Sequence, residues 1–280
     1  MAFPQTTIAG VSLSRMIIGT NWIAGFSHTS AAADFNINQK YSGVDSYTPL
    51  IGAFVKHGVN AIMGGFCTRP ESAEKVMRAQ DTLGTKLILI DTPNLNIDDT
   101  KEARDECRKY FKRSAELGAT FCLLHHACCE KFVNKHKQTM DRLPEYLDMI
   151  RQAGLIPGLS AHMPEIIQYS DLNEYDVQTY IQIFNCAGFL MQIEIESVIK
   201  IIHKAKKPVM TIKPMAAGRV SPYVGLTFNW TVLRPMDLVT VGCFSPEEAE
   251  EDIEISLAAI ERRLPNLEAR SSPAVQSIIC

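Results

Sequence analysis

The chain reads as an α/β protein, a (β/α)8 barrel with an N-terminal β-hairpin closing the barrel bottom. Three observations predict it: eight short apolar runs, amphipathic helical stretches between them, and polar or glycine-containing groups where most of the runs end. The runs are 16–21, 61–65, 86–91, 121–126, 155–160, 180–185, 208–213 and 238–243. At 280 residues the chain is close to the ~250 typical of such a barrel, so residues 1–280 are read as a single domain.

Ahead of the first run, Thr6–Ile8 and Val11–Leu13 flank Ala9-Gly10, which predicts a hairpin that could plug the barrel. Residues 22–46 are rich in Ser, Ala, Gly and Asn and lack periodicity, so they are read as a long loop, a lid over the site or a disordered segment. Its aromatics Phe26, Phe35 and Tyr41 read as exposed, either closing over a ligand or meeting a neighbouring subunit, so a homo-oligomer stays open. Helix punctuation follows: Thr48-Pro49 opens one helix and Gly58 closes it, Pro70-Glu71 opens the next, and Asp98-Asp99-Thr100 precedes a charged helix ending near Gly118. Residues 128–142 have only a weak apolar pattern and read as a second long loop. A short helix begins at Pro164. Residues 194–206 place Ile195, Val198, Ile201 and Ile202 on one face, and 246–263 form a last helix with Ser245 as N-cap and acids in its first turns.

A formal charge of −3 without blocks of one sign offers no basic face, so nucleic acid is excluded as a partner and a small-molecule substrate is favoured. No stretch reaches the ~18 apolar residues of a membrane span and the N-terminus has no secretory pattern, so the chain reads as cytoplasmic with no membrane association. The eight cysteines lack a disulfide spacing and read mostly as free thiols.

In a barrel the reactive groups gather at the strand C-termini. That nominates Asn21, Asp91, His125, His126, Ser160, His162, Asn185 and Lys213. Asp91, His125 and His162 would end or follow neighbouring strands, where a carboxylate and two imidazoles could hold a divalent metal or share acid-base work. The plainer reading has Asp91 capping a helix or pairing with a cation. His125 and His126, adjacent on an extended strand, should point to opposite faces, so only one enters the barrel. Lys213 ends an apolar strand. It could act as base, Schiff-base nucleophile or charged clamp for a carboxylate or enolate, or it could merely pair with Asp91 or Glu194. Cys67 is a candidate nucleophile, and Arg69, just ahead of a helix, a candidate anion holder, with Arg219 a second. Asn21, Arg69, Ser160 and Asn185 are taken as substrate-binding.

Several segments resemble the aldo-keto reductases, especially divergent bacterial relatives: Gly58-Val59-Asn60, LLHH at 123–126, GLSAHMPE at 158–165, IQIFN at 181–185, KPMAAGR at 213–219 and VGCFSPEEAEED at 241–252. Together with the hairpin they span nearly the whole chain. The resemblance implies the same barrel, and it implies a dinucleotide held by Ser160 and Gln182 at the nicotinamide, by Gly218, Arg219, Gly242 and Ser245 near the pyrophosphate, and by Glu251-Asp252 at the adenine. The chain departs from the family where the chemistry is done. The aligned positions read Met63 for the Asp and Asp91 for the Lys, 66–75 contain no Tyr, Ala161 replaces an Asn, and His125 alone is retained. Without Tyr and Lys, the alkoxide formed by hydride transfer has no proton donor.

The expected activity is therefore that of a lyase or isomerase, by proton abstraction or elimination with or without a divalent metal, on a small polyhydroxy or keto substrate. Lys213, His125 and Asp91 would be catalytic. The alternatives are an NAD(P)-dependent oxidoreductase with a rearranged proton donor, using NADP, and a non-catalytic ligand-binding barrel.

Overall fold

In the computed structural model, which describes residues 2–267, eight parallel strands close into a barrel. An antiparallel hairpin, β1 (Gln5–Ile8) and β2 (Val11–Ser14), comes first, turning through Ala9 and Gly10 at φ 50° and 81°. Two successive positive φ values match the twist of flanking strands, and Gly at the second position meets that demand without steric cost. The barrel strands are β3 (Met16–Gly19), β4 (Ala61–Gly64), β5 (Ile88–Asp91), β6 (Ala119–Leu124), β9 (Ile156–Ala161), β10 (Tyr180–Ile183), β11 (Val209–Ile212) and β12 (Leu238–Val241), with β12 pairing back to β3. Six of the eight fall within the predicted runs, while β6 begins two residues before its run and β9 ends one residue after its own. The second hairpin, β7 (Val133–Asn134) with β8 (Thr139–Met140), lies outside the barrel sheet.

The helices are α1 (Ala31–Lys40), α2 (Thr48–Lys56), α3 (Pro70–Leu83), α4 (Lys101–Glu116), α5 (His126–Cys129), α6 (Leu143–Gln152), α7 (Glu165–Leu172), α8 (Ile195–Lys204), α9 (Pro222–Val232) and α10 (Pro246–Glu261). Their starts follow the predicted punctuation: Thr100 caps α4 by accepting from Ala103 N–H, and Ser245 caps α10 by accepting from Glu248 N–H. Two expected loops carry structure instead. Within 22–46, Ser30 caps α1, and Tyr41, expected exposed, is buried with its hydroxyl donating to the Phe244 carbonyl at 2.7 Å. Residues 128–142 fold into α5, a 3-10 turn at Glu130–Phe132 and the β7–β8 hairpin. Neither segment carries a readable period, because α1 buries only Ile37 and so has no apolar stripe, and two-residue strands are too short to alternate.

Side chains alternate across the barrel wall. Ile17, Ala61, Met63, Ile90, Phe121 and Met210 pack in the interior, and the hairpin's Ile8 and Leu13 join them, so the hairpin does plug the bottom. Met16, Ile18, Ile62, Leu89, Cys122 and Val239 pack outward against the helices. The same parity corrects the reading of Asp91. With Leu89 outward and Ile90 inward, Asp91 faces outward, fully buried, accepting a hydrogen bond from Cys67 N–H at 3.2 Å. Cys67 is itself buried and its thiol is held protonated, first by desolvation and then by Asp91, so the pair is structural and Cys67 is no nucleophile.

Seven cysteines, at 67, 107, 122, 128, 129, 186 and 243, are free thiols; Cys280, with Met1 and the rest of 268–280, lies outside the described residues. Among the described residues no helix is long and apolar enough to cross a membrane.

Burial raises the Asp91 carboxyl above the ordinary carboxylate range. A raised carboxyl in the folded state means the native protein binds the proton more tightly than the unfolded chain does. That stability is present below the unfolded value, is lost as pH rises toward the folded one, and the cost of the buried anion persists at neutral pH. Asp91→Asn keeps the acceptor for Cys67 N–H and removes the charge. It should melt higher than the parent at neutral pH, with the difference shrinking on acidification, by thermal unfolding at several pH values. A lower melting temperature at neutral pH would contradict the structural role.

Candidate active site

The strand C-termini open into a cavity of about 690 Å³, lined from all sides of the barrel mouth. Of the predicted residues, Asn21, Arg69, His125, Ser160, His162 and Lys213 line it, with Gly218 and Gly242 at one flank. His126 and His28 line it too.

Lys213 follows β11 with φ 59°, and Ala216 and Ala217 continue at 51° and 55°. Three non-glycine residues held in the left-handed region cost on the order of 1–3 kcal/mol each, a strain that collects at functional sites. The lysine has neither ion pair nor hydrogen bond among the described residues, so it pairs with neither Asp91 nor Glu194. Desolvation alone pushes its amine down to about 8. It stays mostly charged at neutral pH, and no carboxylate among the described residues pairs with it.

The histidines respond to that charge. Strand β6 ends at Leu124, and the backbone turns at His125 into α5. Extended-strand parity therefore no longer applies, and both His125 and His126 reach the cavity, their rings 4.2 Å apart, contrary to the expectation that only one would. His125 Nδ1 accepts from Ala127 N–H at 3.3 Å, capping α5 and leaving the hydrogen on Nε2. His126 stacks on His162 with ring centroids 3.9 Å apart and planes 16° from parallel. Desolvation first, then neighbouring cationic groups including Lys213, hold His125 and His162 down to about 4. His28, in the loop after β3, lies 3.3 Å from the Asn21 amide and is likewise lowered, by burial and then by Lys213. Three imidazoles are thus kept neutral around one lysine.

Arg69 lines the cavity with its guanidinium 4.0 Å over the Phe26 ring. Burial is the main reason its pKa is lowered. Arg219 stacks 4.0 Å over Phe189 and donates to the Ala216 and His28 carbonyls, tying the loop after β11 to the loop after β3.

Four predicted residues are used otherwise. Asp91, facing the helices, cannot join His125 and His162 about one ion or act in the cavity. Asn185 is fully buried and spends both amide ends on the Phe189 backbone, at 2.8 and 3.0 Å, stapling its own loop. Gln182 faces outward and is fully buried, its amide donating to the His162 and Ile183 carbonyls, so it positions His162 and does not face a cofactor. Ser245 is spent as the α10 cap.

Sequence reasoning passed over His28 and Glu130. His28 sits in an aperiodic loop. Glu130 accepts the His162 and Met163 amides at 2.8 and 3.2 Å, and its link to the site was legible only as the helical i,i+4 spacing from His126.

Trp22 lines the flank of the cavity formed by Gly218 and Gly242. A Cβ on Gly242 would lie 3.2 Å from the Trp22 ring, so that glycine makes room for Trp22, whereas Gly218 holds a positive φ of 81° with only ordinary contact to the ring. At α10 the acceptors are its own: Ser245 Oγ takes Glu248 N–H, and Glu248 takes Phe244 N–H at 2.7 Å. Glu248, Glu251 and the buried Asp252, whose carboxyl is raised to about 7 by desolvation, line this end of the cavity.

No protein-family model matches the chain, and no curated protein matches it in sequence. The fold has solved counterparts. Two structures of a Pseudomonas aeruginosa protein assigned as an aldo-keto reductase superpose with TM-score 0.65, at 13% and 14% identity, covering 91% of this chain and 96% and 95% of theirs. Aldose reductase from Giardia lamblia superposes at 0.54 with 10% identity, covering 95% of this chain and 90% of its own. At such identities the likeness is one of architecture, and it establishes that this chain has the aldo-keto reductase-like (β/α)8 barrel.

Proposed function

We propose that the protein is a lyase or isomerase acting on a small keto or polyhydroxy substrate in the barrel mouth, with Lys213 as its central catalytic group. The observation that carries this reading is a half-buried lysine lining a large cavity, its amine in no ion pair among the described residues. Burying a cation without a counter-charge is costly, and the cost is recovered when an anion or a developing enolate oxygen occupies the cavity. The Lys213 ammonium and the His125 Nε2–H would both donate to that oxygen. His28, neutral and held beside Asn21, is the imidazole available to move the proton at the neighbouring carbon, and Arg69 holds an anionic substituent.

A reductase reading is favoured by one feature, the extension of the cavity past Gly218 and Gly242 toward α10. The self-capped, acidic start of α10 weighs against a pyrophosphate there, because Ser245 and Glu248 already accept the Glu248 and Phe244 N–H groups.

Two outcomes are expected. In D2O with a panel of small ketoses and 2-keto acids followed by proton NMR, the parent should exchange or shift a proton alpha to the carbonyl of at least one compound. Lys213→Met should slow it by roughly 100-fold or more, the loss typical of one oxyanion donor. The parent's rate should fall as pH rises through about 8, where the lysine loses its charge, and Lys213→Arg, which cannot deprotonate there, should lack that fall if it retains activity. Exchange unaffected by Lys213→Met would refute the assignment. In a thermal-shift comparison NADPH should leave the melting temperature unchanged, whereas a saturable rise would return the protein to the redox class.

A further inference from the structure

The expected metal group of Asp91, His125 and His162 does not assemble, yet a different group does. His126 opens α5, Glu130 lies one helical turn on, and His162 follows β9 in the neighbouring loop. One donor atom from each lies within 4.8 Å of the other two. His126 Nδ1 is 3.7 Å from Glu130 Oε1, too long for a hydrogen bond but close to the separation of two ligands on one ion, which at metal distances of about 2.0–2.2 Å is roughly 3–3.7 Å. That Nδ1 is buried and has no hydrogen-bond partner, although buried polar atoms rarely go unpaired. The Glu130 carboxylate is aimed by the His162 and Met163 amides, and the His162 carbonyl accepts from Gln182, so the three residues are braced by the backbone around them. His126 and His162 also line the cavity, so an ion here would keep open positions toward a substrate.

We propose that His126, Glu130 and His162 form a binding site for one divalent transition-metal ion on the wall of the cavity. Two imidazoles and one carboxylate without a thiolate suit Zn2+, Mn2+ or Co2+, and three protein ligands with open positions are the pattern of sites that polarise a substrate oxygen. A residue three or four positions along a helix from its partner is a natural second ligand, which gives the i,i+4 pair His126 and Glu130 its use. The site stands independently of the reaction proposed for Lys213.

The test is binding by the full-length chain, stripped with chelator and dialysed, titrated calorimetrically with Zn2+, Mn2+ and Co2+ in turn. The parent should take up one ion per chain of at least one metal. Its affinity should fall at least tenfold in both His126→Ala and Glu130→Gln, with circular dichroism confirming that each variant is folded. His126→Ala guards against a folding artefact, since its imidazole makes no hydrogen bond that the fold would lose. With Co2+, the spectrum should lack thiolate charge-transfer bands, separating this site from binding at cysteine. Absence of saturable binding, an affinity in either folded variant within a few-fold of the parent, or a thiolate spectrum would overturn the assignment. Because the readout is binding and not turnover, failure here leaves the Lys213 reading untouched, and failure of that reading leaves this one.

Discussion

Closure of eight parallel strands imposes one rule on every residue of the wall: neighbours in sequence face opposite layers. Inside, the rule collects Ile17, Met63, Ile90, Phe121 and Met210 into a packed interior, each fully buried large side chain contributing roughly 1.5–3 kcal/mol. Outside, it collects the surface on which the helices rest. The cavity exists because the rule stops where the strands stop. Beyond Leu124 and Ile212 the backbone bends into a helical turn and a left-handed loop, and side chains that parity would have sent outward can turn to the mouth. Residues still within a strand, such as Asp91, have no such freedom.

This boundary explains which parts of the molecule were legible in the sequence. The eight strands were readable because a barrel strand buried on both faces is a near-continuous apolar run. Helix starts were readable from caps, as at Thr100 and Ser245. The site was readable only in part, since a run's end can be recognised without knowing whether its last polar residue belongs to the strand or to the turn beyond. Asp91 belongs to the strand and is lost to the site, whereas His126 belongs to the turn and is gained. Gln182 and Asn185 carry amides that look like ligand contacts in a sequence, and only their bonds to the His162 and Phe189 backbone show that they are spent on the scaffold. His28 and Glu130 belong to segments without periodicity, where nothing in the pattern marks a residue for the mouth.

Electrostatically the cavity has two ends. Around Lys213, desolvation first and neighbouring positive charge second keep His28, His125 and His162 neutral, and at the α10 end Glu248, Glu251 and Asp252 supply acids. A field of this form favours a ligand whose oxygen anion lies at the centre and whose hydroxyls face the acids, because hydroxyls donate to carboxylates without bringing a charge of their own. It disfavours a polyanion stretched along the whole length.

The shared architecture and the divergent mouth are reconciled by where the glycines have gone. In this barrel Gly242 makes room for the Trp22 indole, and the first turn of α10 is closed by its own serine and glutamate. Both features leave the barrel wall untouched, since they lie beyond the ends of β11 and β12. The strained backbone at Lys213, Ala216 and Ala217 belongs to the same region, and the lysine it carries lines the mouth. A fold whose stability resides in its wall can in this way exchange the chemistry of its mouth through a few residues beyond the strand ends.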